Sequence, residues 1–342
     1  MVVNGFQLSS ARRNARHSKF HNFLPALALL YLAPVLVAAS AIAADVPSIA
    51  WMKLTPATSP TPRSFMAMTY DGGSHKVVMF GGSGSTGYLN DTWTFDGTTW
   101  TKVNTPVVPP ARAAAQMAYD RKTHNVVLFG GYDGTHDLSD TWLWDGSTST
   151  WTEATPQHSP GHLTGPVVFT DPNGHVDEFG GFDGNLYQLT MWQWNGSDWI
   201  KLHPPTVPYA RSATTAATDF VHNQTVIFGG LADVNPDNTW TYDGTTWTLQ
   251  SPSTQPLLVY SSSSAFDANL HVVILFGGGS GGVDQDTTWA WNGSDWRQVF
   301  PTQSPTAREG AGMTYDKAID RVVLFGGERG AVLFSDTWEL TP

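Results

Sequence analysis

The sequence predicts an all-β fold in which a four-stranded antiparallel unit is repeated six times. The first observation is a Gly-Gly pair that ends a short apolar run and recurs at intervals of 48 to 50 residues. The second is a Trp that follows the first glycine of each pair by 11 or 12 residues and opens a run of alternating aromatic side chains. Self-similarity at one fixed spacing is the signature of a repeat architecture. The pairs begin at Gly81, Gly130, Gly180, Gly229, Gly277 and Gly326.

Each unit contains four predicted strands, illustrated here by the first unit. The first strand ends near Tyr70-Asp71. The second is the apolar run Val77-Val78-Met79-Phe80, which is typical of a strand buried on both faces. The third begins at Trp93, and Asp96-Gly97 then predicts a tight hairpin, because these residue types accept the positive φ of such turns. Trp100 opens the fourth strand.

The last unit lacks a fourth strand of its own, because the chain ends soon after Asp336-Thr337-Trp338-Glu339-Leu340. The N-terminal segment Trp51-Met52-Lys53-Leu54 is similar to the fourth strand that begins at Trp100. The N-terminal strand, at about 49–56, should therefore complete the last unit and close a ring. Six units closed in this way predict a six-bladed β-propeller, whose radial packing protects the sheet edges. The expected blades are about 60–106, 109–156, 159–204, 207–252, 255–301, and 304–342 plus 49–56.

The succession of apolar strand, Gly-Gly, downstream Trp and terminal Trp strand resembles the kelch repeat. The resemblance covers residues 51–342, six times over. It implies a six- or seven-bladed propeller, in a family that includes exported bacterial proteins and eukaryotic adaptor proteins. It implies little about activity, because function resides in sites grafted on a fold.

Composition excludes several classes of function. The 342 residues include 18 Lys and Arg against 29 Asp and Glu, a net charge of −11, which argues against nucleic-acid binding. The chain has no Cys, so disulfides, thiol nucleophiles and thiolate metal sites are excluded. Kelch-type copper oxidases acting on galactose need a Cys cross-linked to a Tyr, so that activity is excluded as well. The His residues are spread around the ring, and we predict neither a metal site nor a cofactor.

Residues 1–43 have the order of a secretory signal peptide. Four basic residues and no acid in residues 1–19 precede the apolar stretch Leu24–Ala39, and Ala41-Ile42-Ala43 supplies a cleavage pattern. We expect cleavage after Ala43, which leaves one propeller domain, 44–342, in the periplasm or outside the cell, with no stable membrane span. An uncleaved anchor is the alternative, although two prolines interrupt the apolar stretch.

The predicted ligand site lies on one face of the ring. Loops from second to third strands and loops from fourth strands to the next unit should emerge on the same face. In kelch proteins that face, around the central channel, is the usual ligand site. Aromatic rings beside carboxylates would suit the apolar faces and hydroxyls of a sugar, and ordinary polar loops are the alternative reading. The candidates are Tyr132, Asp133, His136, Phe182, Asp183, Tyr187, Glu328 and Arg329.

Four arginines at the start of first strands form a second candidate set, since a ring of Arg suits an anion. The residue two before the third-strand Trp is an acid or amide in the same four units and Thr in the other two. This co-occurrence indicates that each Arg pairs within its own unit as a structural bridge, although exposure at the channel mouth would allow both roles. The arginines are Arg63, Arg112, Arg211 and Arg308, with expected partners Asp91, Asp140, Asn238 and Asp336.

The third unit departs from the repeat. Its second strand carries Asp177 and Glu178 where the other units have aliphatic residues, and His162 stands in place of the Arg. Buried carboxyls are costly unless paired, hydrated or protonated, so these three residues are candidates for acid-base catalysis or cation binding. The alternative is a weakened sheet with a wet interior or a local register shift. His162 and Glu178 need not share one site.

The sequence favours a non-catalytic exported propeller that binds a carbohydrate, glycan or protein partner on this face. The second hypothesis is an enzyme acting on sugars, resembling the exported six-bladed kelch epimerase of sialic acid, with Glu178 or a rim acid as the general acid or base. The third is a structural scaffold of the cell envelope.

Overall fold

A computed structural model describes residues 49–234 and 238–342, which fall within the compact unit Val46–Pro342. This part of the chain consists of strands, turns and loops. None of its segments forms a helix with the length and apolar character needed to cross a bilayer. The expected signal peptide and its cleavage site lie outside the described residues.

The strands form six four-stranded sheets and several two- or three-stranded ribbons. The chain opens with β1 (Ala50–Leu54) and β2 (Arg63–Ser64). Sheet 1 contains β3 (Ala67–Asp71), β4 (Lys76–Phe80), β7 (Thr92–Phe95) and β8 (Trp100–Val103), with β5 (Ser83–Gly84) and β6 (Gly87–Tyr88) between β4 and β7. Sheet 2 contains β9 (Gln116–Tyr119), β10 (Val126–Phe129), β11 (Thr141–Asp145) and β12 (Thr150–Ala154). Sheet 3 contains β13 (Val167–Thr170), β14 (Val176–Phe179), β15 (Met191–Trp194) and β16 (Trp199–Leu202).

Sheets 4 to 6 repeat the pattern. Sheet 4 contains β17 (Thr215–Asp219), β18 (Gln224–Phe228), β19 (Thr239–Tyr242) and β20 (Trp247–Leu249). Sheet 5 contains β21 (Ser263–Asp267), β22 (Val272–Phe276), β25 (Thr288–Trp291) and β26 (Trp296–Val299), with β23 (Gly279–Ser280) and β24 (Val283–Asp284) between β22 and β25. Sheet 6 contains β27 (Gly312–Asp316), β28 (Arg321–Phe325) and β31 (Thr337–Thr341), with β29 (Glu328–Arg329) and β30 (Val332–Leu333) between β28 and β31.

The fourth strand of sheet 6 is β1, from the other end of the described chain. It pairs antiparallel with β31, placing Trp51 opposite Leu340 and Leu54 opposite Thr337. This is the pairing expected from the likeness of the N-terminal segment to the fourth strands. The first strands of successive sheets contact one another in order, and β27 contacts β3. The first strands therefore surround a common centre, as in a kelch-type β-propeller.

The core lies between the sheets. Six clusters of buried residues each join two neighbouring sheets, including one that joins sheet 6 to sheet 1. The second strands contribute to the clusters on both sides: in β4, Val78 packs towards sheet 2 while Val77 and Met79 pack towards sheet 6. This two-sided burial explains why the second strands are apolar without alternation.

Two faces of the ring differ in their connections. The loop face is formed by the loops from second to third strands and by the connections from one sheet to the next. The backbone N–H of Gly82 donates to the Arg112 carbonyl at 2.8 Å, so these two kinds of loop meet. The turn face carries the turns from first to second and from third to fourth strands. There, Gly97 has φ +90° and faces Ile319 so closely that a Cβ would lie 2.4 Å from its Cγ2.

Candidate functional site

The four arginines are internal braces. Arg112 donates from Nη1 and Nη2 to both carboxylate oxygens of Asp140 at 2.6 Å, and from Nη1 to the Gly130 carbonyl at 3.0 Å. Its Nε donates to the Pro110 carbonyl at 3.0 Å. Equivalent bonds link Arg63 to Asp91, Arg308 to Asp336, and Arg211 to Asn238.

The pairing predicted from the repeats is thus present in all four sheets. The four arginines are at most 1% exposed, and their guanidinium groups are engaged by their own sheets. Burial alone would raise the pKa of Asp140, but the hydrogen bonds and charge of Arg112 outweigh it and lower that pKa. The arginines therefore anchor the loop between second and third strands to the start of the first strand, as bridges rather than as a ring of ligand contacts.

Asp177 and Glu178 are sealed inside the protein. Both side chains are 0% exposed, and the β13–β14 register runs without a bulge from Val167 opposite Phe179 to Thr170 opposite Val176. Asp177 Oδ1 accepts a bond from Gln193 Nε2 at 3.0 Å, whereas neither oxygen of Glu178 has a hydrogen-bond partner among the described residues. The register shift offered as an alternative is not found.

Burial raises the pKa of Glu178 well above its usual range, and the charge of Asp177 adds to the effect. Burial and the charge of Asp171 likewise raise the pKa of Asp177. Burial thus favours the protonated form of both carboxyls, and neither is among the residues that line the cleft or the central cavity of the ring. His162 lies exposed on the loop face, where its Nδ1 is 3.0 Å from the Asp137 carbonyl oxygen. The three candidate catalytic residues do not form one site.

An open cleft on the loop face does bring four of the predicted residues together. It has a volume of about 600 Å³ and lies between the loops of sheets 2 and 3. Asp137 also lines the cleft, although it is not among the predicted ligand contacts. Its position next to the candidate His136 is the sequence signal from which it could be predicted. The predicted residues in the cleft are Asp133, His136, His162 and Asp183.

The cleft carboxylates are fixed by the backbone of their own loops. Asp133 Oδ1 accepts the N–H groups of Thr135 and His136, both at 2.7 Å. Asp183 Oδ1 accepts the N–H groups of Asn185 and Leu186 in the same way. These backbone bonds lower the pKa of Asp133 and of Asp183, so both are anionic at neutral pH. The cleft therefore offers fixed negative charge, which suits binding better than proton transfer.

The predicted aromatic residues lie beside the cleft and contact other rings. Tyr132 packs edge-on against Tyr88 with ring centroids 5.8 Å apart. Phe182 packs against Tyr187 with centroids 5.2 Å apart. All four rings are half-buried, so they stiffen the loops and leave part of their surface to solvent.

Glu328 and Arg329 belong to a different part of the loop face. Glu328 accepts a hydrogen bond from Ser64 Oγ at 2.9 Å, and Arg329 is exposed. Burial, together with the charges of Asp284 and Glu328, raises the pKa of Glu309 to about 7. No group of three or more His, Asp or Glu side chains in the described ranges is arranged to hold a metal ion.

The loop face also carries exposed apolar side chains. Ten of the fifteen large hydrophobic residues exposed in the described parts of the chain lie in its loops, two lie in turns of the opposite face, and three lie on β1, β16 and β20. The most exposed are Phe300 at 80% and Leu257 at 71%. The ten are Val107, Val108, Leu186, Leu189, Tyr209, Val234, Leu257, Val283, Phe300 and Val332.

Comparisons with known proteins agree with this architecture. The family profile described as the KLHDC2/KLHL20/DRC7 Kelch-repeats domain matches residues 39–163. A solved structure described as "Structure of YjhT" has a TM-score of 0.67 and 17% sequence identity, covering 84% of this chain and 97% of that one. At this identity the likeness concerns the fold alone. No curated protein matches the sequence.

Proposed function

This chain is a kelch-repeat β-propeller, and we propose that it is a non-catalytic binding protein whose loop face receives a polypeptide partner. The observation that carries the proposal is the concentration of exposed large apolar side chains in the loops of that face. Exposed apolar side chains that lie mainly on one face suit contact with a partner, because burial against the partner removes them from water. Kelch propellers mediate protein interactions. Residues 1–43 further support export of the protein to the periplasm or the cell exterior.

The charge of the loop face defines the kind of partner. Asp133 and Asp183 are anionic, and Asp284 and Glu328 add carboxylates near Glu309. A segment that combines Lys or Arg with aliphatic or aromatic side chains would complement both features. Electrostatic complementarity of this kind accelerates association and makes it sensitive to salt.

The enzyme hypothesis loses the support of Asp177 and Glu178, which leaves Glu309, with a pKa raised to about 7, as the rim acid for that hypothesis. Asp177 and Glu178 are buried between sheets, and the two carboxyls line neither the cleft nor the central cavity. The anionic Asp133 and Asp183 of the cleft are not poised to exchange protons near neutral pH. A carbohydrate remains the second candidate partner, favoured by the fixed carboxylate oxygens of the cleft, which could accept bonds from sugar hydroxyls.

Binding of peptides tests the proposal. Fluorescence anisotropy would compare a labelled basic amphipathic peptide with an acidic peptide of the same apolar content, at low and high salt. We expect the basic peptide to bind more tightly and to lose affinity as salt rises. Leu186→Ser and Leu257→Ser should each weaken binding, by about tenfold for a side chain that is fully buried in the complex. Ile200→Ser is the matched control, because Ile200 is 45% exposed but lies on β16.

Three results would count against the polypeptide proposal. The first is equal binding of both peptides, and the second is equal affinity of the loop variants and the parent. The third is no peptide binding together with binding of an oligosaccharide that is lost in Asp183→Asn, which would favour the carbohydrate. Absence of all binding would leave the scaffold hypothesis.

A further inference from the structure

The first strands of the ring enclose a central cavity of about 860 Å³. Its wall is mainly apolar and hydroxyl-bearing, with residues such as Met68, Met117 and Thr218, and it extends to the turns of the turn face. Among the described residues of its wall, the Arg and Lys side chains are Arg121 and Lys317, His75 is the histidine, and Asp and Glu are absent. In a chain with net charge −11, a cavity whose described wall residues include cationic but no anionic side chains is unusual.

The repeat places both cations at one level of the channel. Arg121 directly follows Asp120 at the end of the first strand of sheet 2. Lys317 directly follows Asp316 at the end of the first strand of sheet 6. Phe220 occupies the equivalent position in sheet 4. The Arg121 guanidinium lies 3.8 Å from the centroid of the Phe220 ring, so these side chains reach across the turn-face mouth.

Neither cation has a carboxylate partner within 4.0 Å among the described residues. The neighbouring acids accept bonds from their own turns: Asp120 Oδ1 accepts the Lys122 N–H at 2.8 Å, and Asp316 Oδ1 accepts the Ala318 N–H at 2.9 Å, whereas the buried Asp316 Oδ2 has no hydrogen-bond partner among the described residues. Partial burial and then the charge of Arg121 lower the pKa of Lys317, so the two cations are close enough for their charges to repel each other.

We propose that the turn-face mouth of the central cavity binds a small organic anion between Arg121 and Lys317. The carboxylate or phosphate of the ligand accepts bonds from the guanidinium fork and the ammonium group, which also relieves the repulsion between the two cations. Phe220 is covered by Arg121 on one face but is still 38% exposed, and this exposed part of the ring offers a surface for an apolar part of the ligand. This site lies at the opposite end of the ring from the loop face and does not depend on the proposed polypeptide partner.

Isothermal titration calorimetry on the purified protein tests the site, with inorganic phosphate and benzoate as separate probes at constant ionic strength. At least one probe should bind saturably with one site per chain. Arg121→Gln and Lys317→Gln should each weaken that binding at least tenfold. Lys122→Gln is the matched control, because it removes the same charge one residue from Arg121 on a side chain outside the cavity wall, and it should bind as the parent does.

The two probes separate the sources of the anion. Binding of benzoate without phosphate assigns a carboxylate with an apolar body, and the reverse assigns a phosphoryl group. Because both cations are exposed at the mouth, the variants should keep the circular dichroism spectrum of the parent. The proposal is wrong if neither probe binds saturably, or if the affinity is the same in the parent and in both cavity variants.

Discussion

The indole N–H of Trp100 donates a 2.9 Å hydrogen bond to Thr337 Oγ1 across the junction between sheet 1 and sheet 6. The two residues are 237 positions apart in the chain, and both are buried. The bond joins the first residue of β8 to the first residue of β31, and so connects sheets formed at opposite ends of the described chain.

The same bond recurs between neighbouring sheets around the ring. The Trp at the first or second position of the fourth strand of one sheet donates to the Thr that opens the third strand of the preceding sheet. In sheet 3 the Thr is replaced by Met191, and Trp247 Nε1 lies 3.2 Å from its sulfur. The remaining pairs are Trp51 with Thr288, Trp151 with Thr92, Trp199 with Thr141, and Trp296 with Thr239.

Replacing the acceptor should therefore destabilise the ring. Thr337→Val keeps the shape of the side chain but leaves the buried Trp100 N–H without a partner, so the free energy of unfolding should fall by about 1–3 kcal/mol. Chemical denaturation monitored by tryptophan fluorescence measures the change. Thr101→Val is the control, because Thr101 is exposed on β8, and it should change stability by less than about 0.5 kcal/mol. Equal effects of the two variants would contradict the proposed role of the bond.

The N-terminal strand should be essential to the stability of the whole ring. Trp51 is 0% exposed, contacts Phe276 with centroids 5.5 Å apart, and donates to Thr288. Trp51→Ala should cost about 3–5 kcal/mol, as for other buried Trp residues. Removal of residues 1–56 should go further and broaden or abolish the cooperative thermal transition. The control Met52→Ala, at a neighbouring position that is 45% exposed, should have little effect. An unchanged transition in the truncated chain would show that β1 is dispensable.

Removing the Arg of one Arg–Asp bridge should lower the free energy of unfolding more than replacing its Asp with the neutral Asn. Arg112→Met leaves the Asp140 carboxylate half-buried without its partner, with an expected loss of about 3–5 kcal/mol. Asp140→Asn should cost less, because sheet 4 naturally pairs Arg211 with Asn238. Urea unfolding of both variants at pH 7 gives the comparison. A greater loss in Asp140→Asn than in Arg112→Met would overturn this account.

The bridge should also give a defined dependence on pH. The pKa of Asp140 is lowered in the folded protein, so its contribution is complete above the unfolded value of 3.8. The contribution of Asp140 to stability should be lost as the pH falls through the pKa of this carboxyl in the folded protein. The difference in unfolding free energy between the parent and Asp140→Asn should therefore shrink under acid conditions.

The contribution of Glu178 to stability should depend on pH in the opposite sense to that of Asp140. Its pKa is raised in the folded protein, so its contribution to stability is greatest below the unfolded value of 4.5 and decreases as the pH rises towards the folded pKa. Glu178→Leu restores the residue found at the same position in sheets 2, 5 and 6, namely Leu128, Leu275 and Leu324. The variant should be more stable than the parent at pH 7, by about 1–3 kcal/mol, with a smaller advantage at pH 4.

Thermal denaturation across that pH range tests the Glu178 prediction. The exposed Glu153→Leu serves as the control and should leave the pH profile unchanged. A Glu178→Leu variant less stable than the parent at pH 7 would show that the carboxyl has a stabilising partner.

The repeat in the sequence was sufficient to predict the fold. Gly-Gly, Trp and Asp-Gly each mark a local conformation, and their recurrence places equivalent strands at equivalent positions. Covariation between repeats also predicted the Arg63–Asp91 type of bridge, because a unit that lacks the buried Arg also lacks the acid or amide that would pair with it. The Trp–Thr bonds could not be predicted from the sequence, because the Thr that precedes the third-strand Trp in five of the six units has no obvious partner in its own unit.

The sequence by itself thus determined the strands, their order and the pairs made within one sheet. Tertiary structure alone decided which side chains share a surface. The packing of the sheets buries Asp177 and Glu178. It also brings Asp133, His136, His162 and Asp183 together in one cleft, and it places Arg121 and Lys317 in the wall of one cavity. The physical reason is that strand formation and hairpin pairing depend on residues close in the chain, whereas burial and the meeting of loops depend on how the sheets pack around a common centre.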